Sequence, residues 1–227
     1  MKPILSADMY DIMNCHKEYI VGRLGQKNNE TNKNALETYS DLKNGLKGQN
    51  IKRNTVFKKT YVKFFGMGQS RLISDYYDRY FSLLEENKAN RKVSLSWILN
   101  SLHSVSKTSK GRQTLQFSFA TKMVHIINDD EPIYDSRIKL FFKMTEPPAE
   151  IEFNKRVEAY LDIQMSIKIE YDRIIKNKLL EPSIGYFRKV NENRSDHSDI
   201  KVIDWLIWQF VSLVNGGWIG GNDRGSR

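Results

Sequence analysis

Apolar residues recur along most of the chain at intervals of three and four, and that spacing predicts helices. Phe57, Tyr61, Phe64 and Phe65 are four, three and one apart, with Lys58, Lys59 and Lys63 between them. Such a segment has an aromatic face and a lysine face. Burial of the aromatic stripe is the stronger interpretation, and stacking of bases between the rings is the alternative. Residues 70–86 carry Tyr76, Tyr77, Tyr80, Phe81, Leu83 and Leu84 on a further helix. Leu95, Ile98, Leu99, Leu102 and Val105 follow Ser94, which is expected to cap that helix. Val157, Leu161, Met165 and Ile169 are four apart within residues 150–180, which read as one long helix or two. The last helix is expected over 200–214. Ser198 or Asp199 would cap it, and Asn215-Gly216-Gly217 would stop it.

The breaks between these runs define the rest. Residues 6–24 read as a helix capped at Ser6 or Asp8, 28–34 as a polar loop, and 35–46 as a helix ending near Gly45 or Gly48. Residues 44–54 are polar and basic; they suit a connector, or an exposed arm facing DNA. Gly66-Met67-Gly68 interrupts the helical pattern, and no Gly-Lys-Ser/Thr follows, so it is not a phosphate loop. His103 falls inside an apolar helix and reads as structural, while 104–112 reads as a basic surface turn. Glu146-Pro147-Pro148 ends whatever precedes it, Pro182 and Gly185 punctuate, 191–199 is a polar loop and 220–227 a frayed tail. Sustained alternation, heptads and internal repeats are all lacking. The expected class is all-α.

Composition adds partners to this picture. With 227 residues and 40% hydrophobic content, the chain can build the core of one domain or of two sub-domains. Lys and Arg number 36 against 27 Asp and Glu, a net charge of +9 that favours a polyanion such as nucleic acid. A merely basic protein is the alternative. Cys15 is the one cysteine, which excludes an internal disulfide and a cysteine-rich zinc site. No apolar run approaches the roughly 18–20 residues of a membrane span, and the N-terminus has no signal-peptide core. A cytoplasmic protein is expected, nucleoid-associated if bacterial or archaeal, and a monomer. His125, Asn128, Asp129 and Asp130 lie close together but match no metal-ligand pattern. Neither a metal nor a cofactor is expected.

The most informative stretch is 111–139. Ser118-Phe119-Ala120-Thr121-Lys122 sets small residues either side of an aromatic and then begins an apolar helix with a lysine. Pro132-Ile133-Tyr134-Asp135-Ser136-Arg137 places an acid at the start of the next helix. The interval, 135 − 122 = 13 residues, accommodates about two helical turns and a short loop, so Lys122 and Asp135 can return to one another. A plain surface salt bridge would use the same spacing.

This stretch resembles the helix-hairpin-helix DNA glycosylases, whose hairpin reads Gly-hydrophobic-Gly-x-Lys before a Pro-Val-Asp-type turn. It looks most like the 8-oxoguanine branch, including the archaeal type. Ser118 and Ala120 stand at the two glycine positions. A weaker echo lies at Asp204-Trp205-Leu206-Ile207-Trp208. The resemblance implies two α-helical sub-domains with a DNA-binding cleft between them: residues 1–90 as an N-terminal helical region, 91–145 as the helix-hairpin-helix region, and 146–227 as helices packing back on the first. It implies base excision from double-stranded DNA with a damaged or modified purine, and strand cleavage through a lysine Schiff base. Lys122 would be the nucleophile and Asp135 the acid that stabilises charge on the sugar. Phe117, Ser118, Phe119, Ala120, Thr121 and Arg137 would contact DNA. Asp204, Trp205 and Trp208 would line a base pocket, although a core role for the tryptophans is the stronger alternative. Two other functions stay open: a DNA-binding protein that keeps the hairpin without catalysis, and a basic interaction or defence protein with an acidic partner.

Overall fold

Polar side chains start most of the helices by satisfying the free amides of the first turn. Asn34 accepts from Glu37 N–H while the Glu37 carboxylate accepts from Asn34 N–H, a reciprocal capping box that opens α3 (Ala35–Gly48). Asn54 caps α4 (Thr55–Phe64), Ser94 caps α6 (Leu95–His103) and Asp135 caps α8 (Ser136–Phe141). Glu152 caps α9 (Phe153–Lys176) and Ser198 caps α11 (Asp199–Asn215). The remaining helices are α1 (Ala7–Cys15), α2 (Lys17–Leu24), α5 (Ser74–Asn87), α7 (Phe117–Ile127) and α10 (Glu181–Val190), with a short 3₁₀ turn at Met67–Ser70. The computed structural model describes residues 7–70, 72–106, 110–111, 113–192 and 197–219. The expected cap at Ser6 and the tail at 220–227 lie outside the described residues, as do parts of the expected turns at 104–112 and 191–199. The class is all-α: among the described residues there is no β-strand, only isolated bridge positions at Leu72 and Gln113. No helix among them is long and apolar enough to cross a membrane.

Two expected spans resolve differently. Residues 6–24 divide into α1 and α2 at His16, whose backbone (φ −99°, ψ 14°) leaves the helical region. Residues 150–180 contain one uninterrupted helix of 24 residues, α9, which ends before Pro182 enters the first turn of α10. The break after α4 comes where expected. Gly66 takes φ +65°, a left-handed conformation that a side chain would strain.

The aromatic stripe of α4 is core. Tyr61 packs against Phe57, Phe65, Tyr80 and Phe81, and its hydroxyl lies 2.8 Å from that of Tyr80. Tyr80 in turn donates to the Phe119 carbonyl at 2.9 Å, tying α5 to α7. Each such ring, fully buried, contributes roughly 1.5–3 kcal/mol. The helices at the two ends of the chain meet: α1 and α2 pack on α10, and α2 and α8 both pack on α11. Tyr10 in α1 donates to Glu170 in α9 at 2.7 Å, and Arg173 pairs with the same carboxylate. One apolar cluster runs from Tyr10 to Ile219 through all of these elements.

Candidate functional site

Residues 117–121 are helical. They form the opening of α7 rather than a hairpin before it, and Lys122 is inside the helix rather than at its start. Ser118 and Ala120 lack the freedom of glycine to turn the chain with positive φ, and both are compatible with a helix. Their neighbours then pull the segment inward. Phe117 stacks on Tyr160 at 4.5 Å, Ala120 is fully enclosed, and Phe119 and Thr121 are buried. Of the five residues expected to touch DNA here, Ser118 alone keeps a partly accessible side chain. Nor do α6 and α7 form a tight hairpin, because residues 104–116 separate them.

Asp135 and Arg137 lie near enough to Lys122 to influence its charge. The Thr121 hydroxyl oxygen accepts from Tyr134 N–H at 3.1 Å, which sets how the 133–135 segment runs past α7. Asp135 then starts α8 with its Oδ1 accepting from Arg137 N–H at 2.9 Å and Ile138 N–H at 3.0 Å. Lys122 is 7% exposed and its Nζ donates to the Phe65 carbonyl at 3.0 Å. Burial pushes the Lys122 ammonium below its usual value; Asp135 opposes that shift and Arg137 reinforces it. Among the described residues no ion pair joins Lys122 to a carboxylate, so Asp135 acts on it through the field and not by contact. Arg137 lies flat on Trp208, with 3.6 Å from the guanidinium carbon to the ring centroid. Burial lowers the Arg137 value and Asp135 raises it.

The expected base pocket does not assemble. Trp205 and Trp208 are three apart, about 60° round a helix, and that angle separates them at the edge of the buried face of α11. Trp205 is 5% exposed and packs edge-on against Tyr39 and His197, whereas Trp208 is 40% exposed beneath Arg137. Asp204 is buried, and its hydrogen bonds go to neither tryptophan. It accepts from the Tyr171 hydroxyl at 2.6 Å and from Ile133 N–H at 3.3 Å.

Asp204 instead belongs to an internal polar network that the sequence pattern did not isolate. His125 is fully buried, and its Nδ1 lies 2.6 Å from the Glu131 carbonyl and 3.6 Å from Asp204. Burial and Lys201 push His125 well below the usual imidazole range, so it is neutral, with Nδ1–H donating to the carbonyl. The Lys201 ammonium sits 4.3 Å from the Tyr39 ring centroid and 4.8 Å from that of Trp205. The Lys201 and Asp204 pair within residues 200–208, otherwise apolar, was the available signal. A second unforeseen feature is a groove between α4 and α5, lined by Lys58, Lys59 and Lys63 over Val62, Tyr77 and Phe81.

An amine held in a low-polarity setting beside a carboxylate and a cation can be deprotonated at moderate pH and attack an electrophilic carbon. Compared with family models, curated proteins and solved structures, the chain matches none.

Proposed function

We propose that this chain is a DNA base-excision protein in which Lys122 is the nucleophile and Asp135 stabilises positive charge on the sugar. The observation that carries the proposal is the Lys122 amine itself. It is buried, depressed by that burial, without a contacting carboxylate among the described residues, and within the field of Asp135 and Arg137. In the proposed reaction the Nζ lone pair forms a bond to C1′ of the target nucleotide, and the C1′–base bond breaks. The base leaves with the electron pair and takes up a proton. Opening of the sugar ring then gives an imine between Nζ and C1′, from which the strand can be cleaved by elimination. Asp135 favours the cationic sugar in the transition state. Arg137, placed over the half-exposed Trp208, supplies a cation for phosphate. A cleft between two helical sub-domains, a damaged purine as target and double-stranded DNA as partner are parts of the same proposal, supported by the net charge of +9 and by the lysine-to-acid part of the resemblance, Lys122 and Asp135.

The test is borohydride trapping on duplexes carrying a panel of damaged purines. Wild type should yield a covalent protein–DNA adduct, and Lys122→Gln should yield none while still binding DNA. Base release without any adduct would remove Lys122 as nucleophile. The bond from Lys122 to the Phe65 carbonyl favours a second possibility, a DNA-binding protein whose lysine is a strut. In that case DNA is retained in a salt-dependent way and neither base release nor adduct is seen.

A further inference from the structure

The groove between α4 and α5 is separate from Lys122, yet the two share a boundary. Phe65, whose carbonyl accepts from Lys122, immediately precedes Gly66, which lines the groove. The groove is an open depression of about 640 Å³, within the roughly 300–1,000 Å³ of sites that hold small organic groups. Its floor is apolar and aromatic, formed by Val62, Tyr77 and Phe81, and its rim carries Lys58, Lys59 and Lys63 against the single acid Asp78. The floor is held in shape, since the Tyr77 hydroxyl donates to the Met67 carbonyl at 3.0 Å. Lys63 pairs with Glu30 across the surface, but Lys58 and Lys59 pair with no carboxylate among the described residues. Lys58 leans over the Phe81 ring with its Nζ 5.9 Å from the centroid.

We propose that this groove binds a single-stranded segment of nucleic acid, with phosphates on Lys58 and Lys59 and a base on the apolar floor. A wall of lysines alone would suit any polyanion. Lysines over an aromatic recess suit a ligand in which an anionic backbone alternates with flat apolar groups, which describes an unpaired strand. A duplex presents only phosphates to such a surface, because its bases are stacked inside. A strand opened around an extruded nucleotide would leave the Lys122 region and enter the groove at the Gly66 turn. That identity of the strand rests on the base-excision proposal, whereas binding by the groove does not require catalysis.

The experiment is fluorescence anisotropy with a short fluorescein-labelled oligodeoxythymidine at low salt. The double variant Lys58→Glu/Lys59→Glu should weaken binding about tenfold or more, through loss of two phosphate contacts and added repulsion. Asp78→Asn should tighten it by about two- to threefold, because it removes the one acid from the rim. The control Lys155→Glu/Lys176→Glu makes the same charge change on α9, which does not line the groove, and should stay within about twofold of wild type. Circular dichroism checks that each variant keeps its helices. An equal loss in the α9 control, an unchanged affinity in the groove variant, or binding to anionic lipid vesicles in place of the oligonucleotide overturns the proposal. Adduct formation on duplex DNA tests the base-excision proposal separately, so each can fail while the other stands.

Discussion

Lys122 donates its hydrogen bond to the backbone carbonyl of Phe65, 57 residues earlier in the chain, and not to Asp135, the acid that the sequence pairs with it. The carbonyl satisfies one of three ammonium hydrogens, and the Phe119 ring centroid stands 5.3 Å from Nζ. A neutral acceptor and a ring beneath the ammonium only partly replace the water that a buried ammonium has given up. Desolvation therefore outweighs the attraction of Asp135, and the Lys122 value falls. A group that costs stability where it sits is a candidate for chemistry rather than for holding the fold together.

The stability cost is measurable. Lys122→Met keeps the length of the side chain and removes the charge, and it should stabilise the protein by about 1–2 kcal/mol near pH 7. In the unfolded chain the amine returns to its ordinary value of 10.5, above its value in the fold. The unfolded state thus holds more protons, and stability rises with pH across the interval between the two values. The penalty is fully present below the folded value, so the advantage of the Met variant should shrink as pH rises toward 10.5. Urea unfolding at pH 7 and near pH 10 measures both effects. A Met variant less stable than wild type at pH 7 would make the bond to Phe65 a structural anchor.

Asp135 has two roles that different substitutions separate. Asp135→Ala removes the acceptor for Arg137 N–H and Ile138 N–H. It should cost about 1 kcal/mol and loosen the helix that lays Arg137 on Trp208. Asp135→Asn keeps an acceptor and should fold with nearly wild-type stability, but it removes the charge that holds the Lys122 value up. Adduct formation in the Asn variant should be slower by about a hundred- to a thousandfold at its optimum. The acid limb of its pH profile should also move to lower pH. An acid limb that stays in place while the rate falls would mean that Asp135 does not act on Lys122.

Local patterns carried much of this structure. The intervals of three and four marked the helices, the polar residues at Ser94 and Ser198 marked two starts, and the stripe on α4 marked core. Asp135 influences the Lys122 charge across the fold, but among the described residues the two make no contact. The hairpin did not survive, because small residues read as turn-formers are also compatible with a helix, and Phe117 and Phe119 gain more by burial than as loop. Trp205 and Trp208 share a face by spacing, yet the boundary of the buried stripe falls between them, and only packing against α8 and α3 decides where. The bonds from Asp204 to Tyr171 and to Ile133 join residues 33 and 71 apart. Nothing local encodes such a pairing, since it depends on where α9 and α11 come to rest.

That internal network makes the last prediction. Burial pushes the Asp204 carboxyl up to about 7, with Lys201, Tyr171 and the Ile133 amide holding it back from a larger shift. Burial likewise brings Lys201 down to about 8, against the pull of Asp204 and Asp129. In the unfolded chain Asp204 titrates near 3.8. Between that value and about 7 the folded state holds the extra proton, so this residue's contribution to stability is largest at acid pH and declines as pH rises. Asp204→Asn cannot ionise and lacks the second acceptor for Ile133 N–H, so it should be less stable than wild type throughout. The gap should be widest near pH 5 and narrow by on the order of 1 kcal/mol or more by pH 7.5. His125 acts in the opposite direction, because it is neutral in the fold and charges only on unfolding as pH falls through its ordinary value, 6.5. That contribution is common to both proteins and cancels in their difference, whereas Lys201, which Asp204 holds up, falls further in the Asn variant and narrows the gap in the same direction. Urea unfolding of the two side by side from pH 5 to 8 measures the gap. A gap that stays constant over this range would mean that Asp204 is already ionised at pH 5 and fully paired with Lys201, and that burial does not dominate its titration.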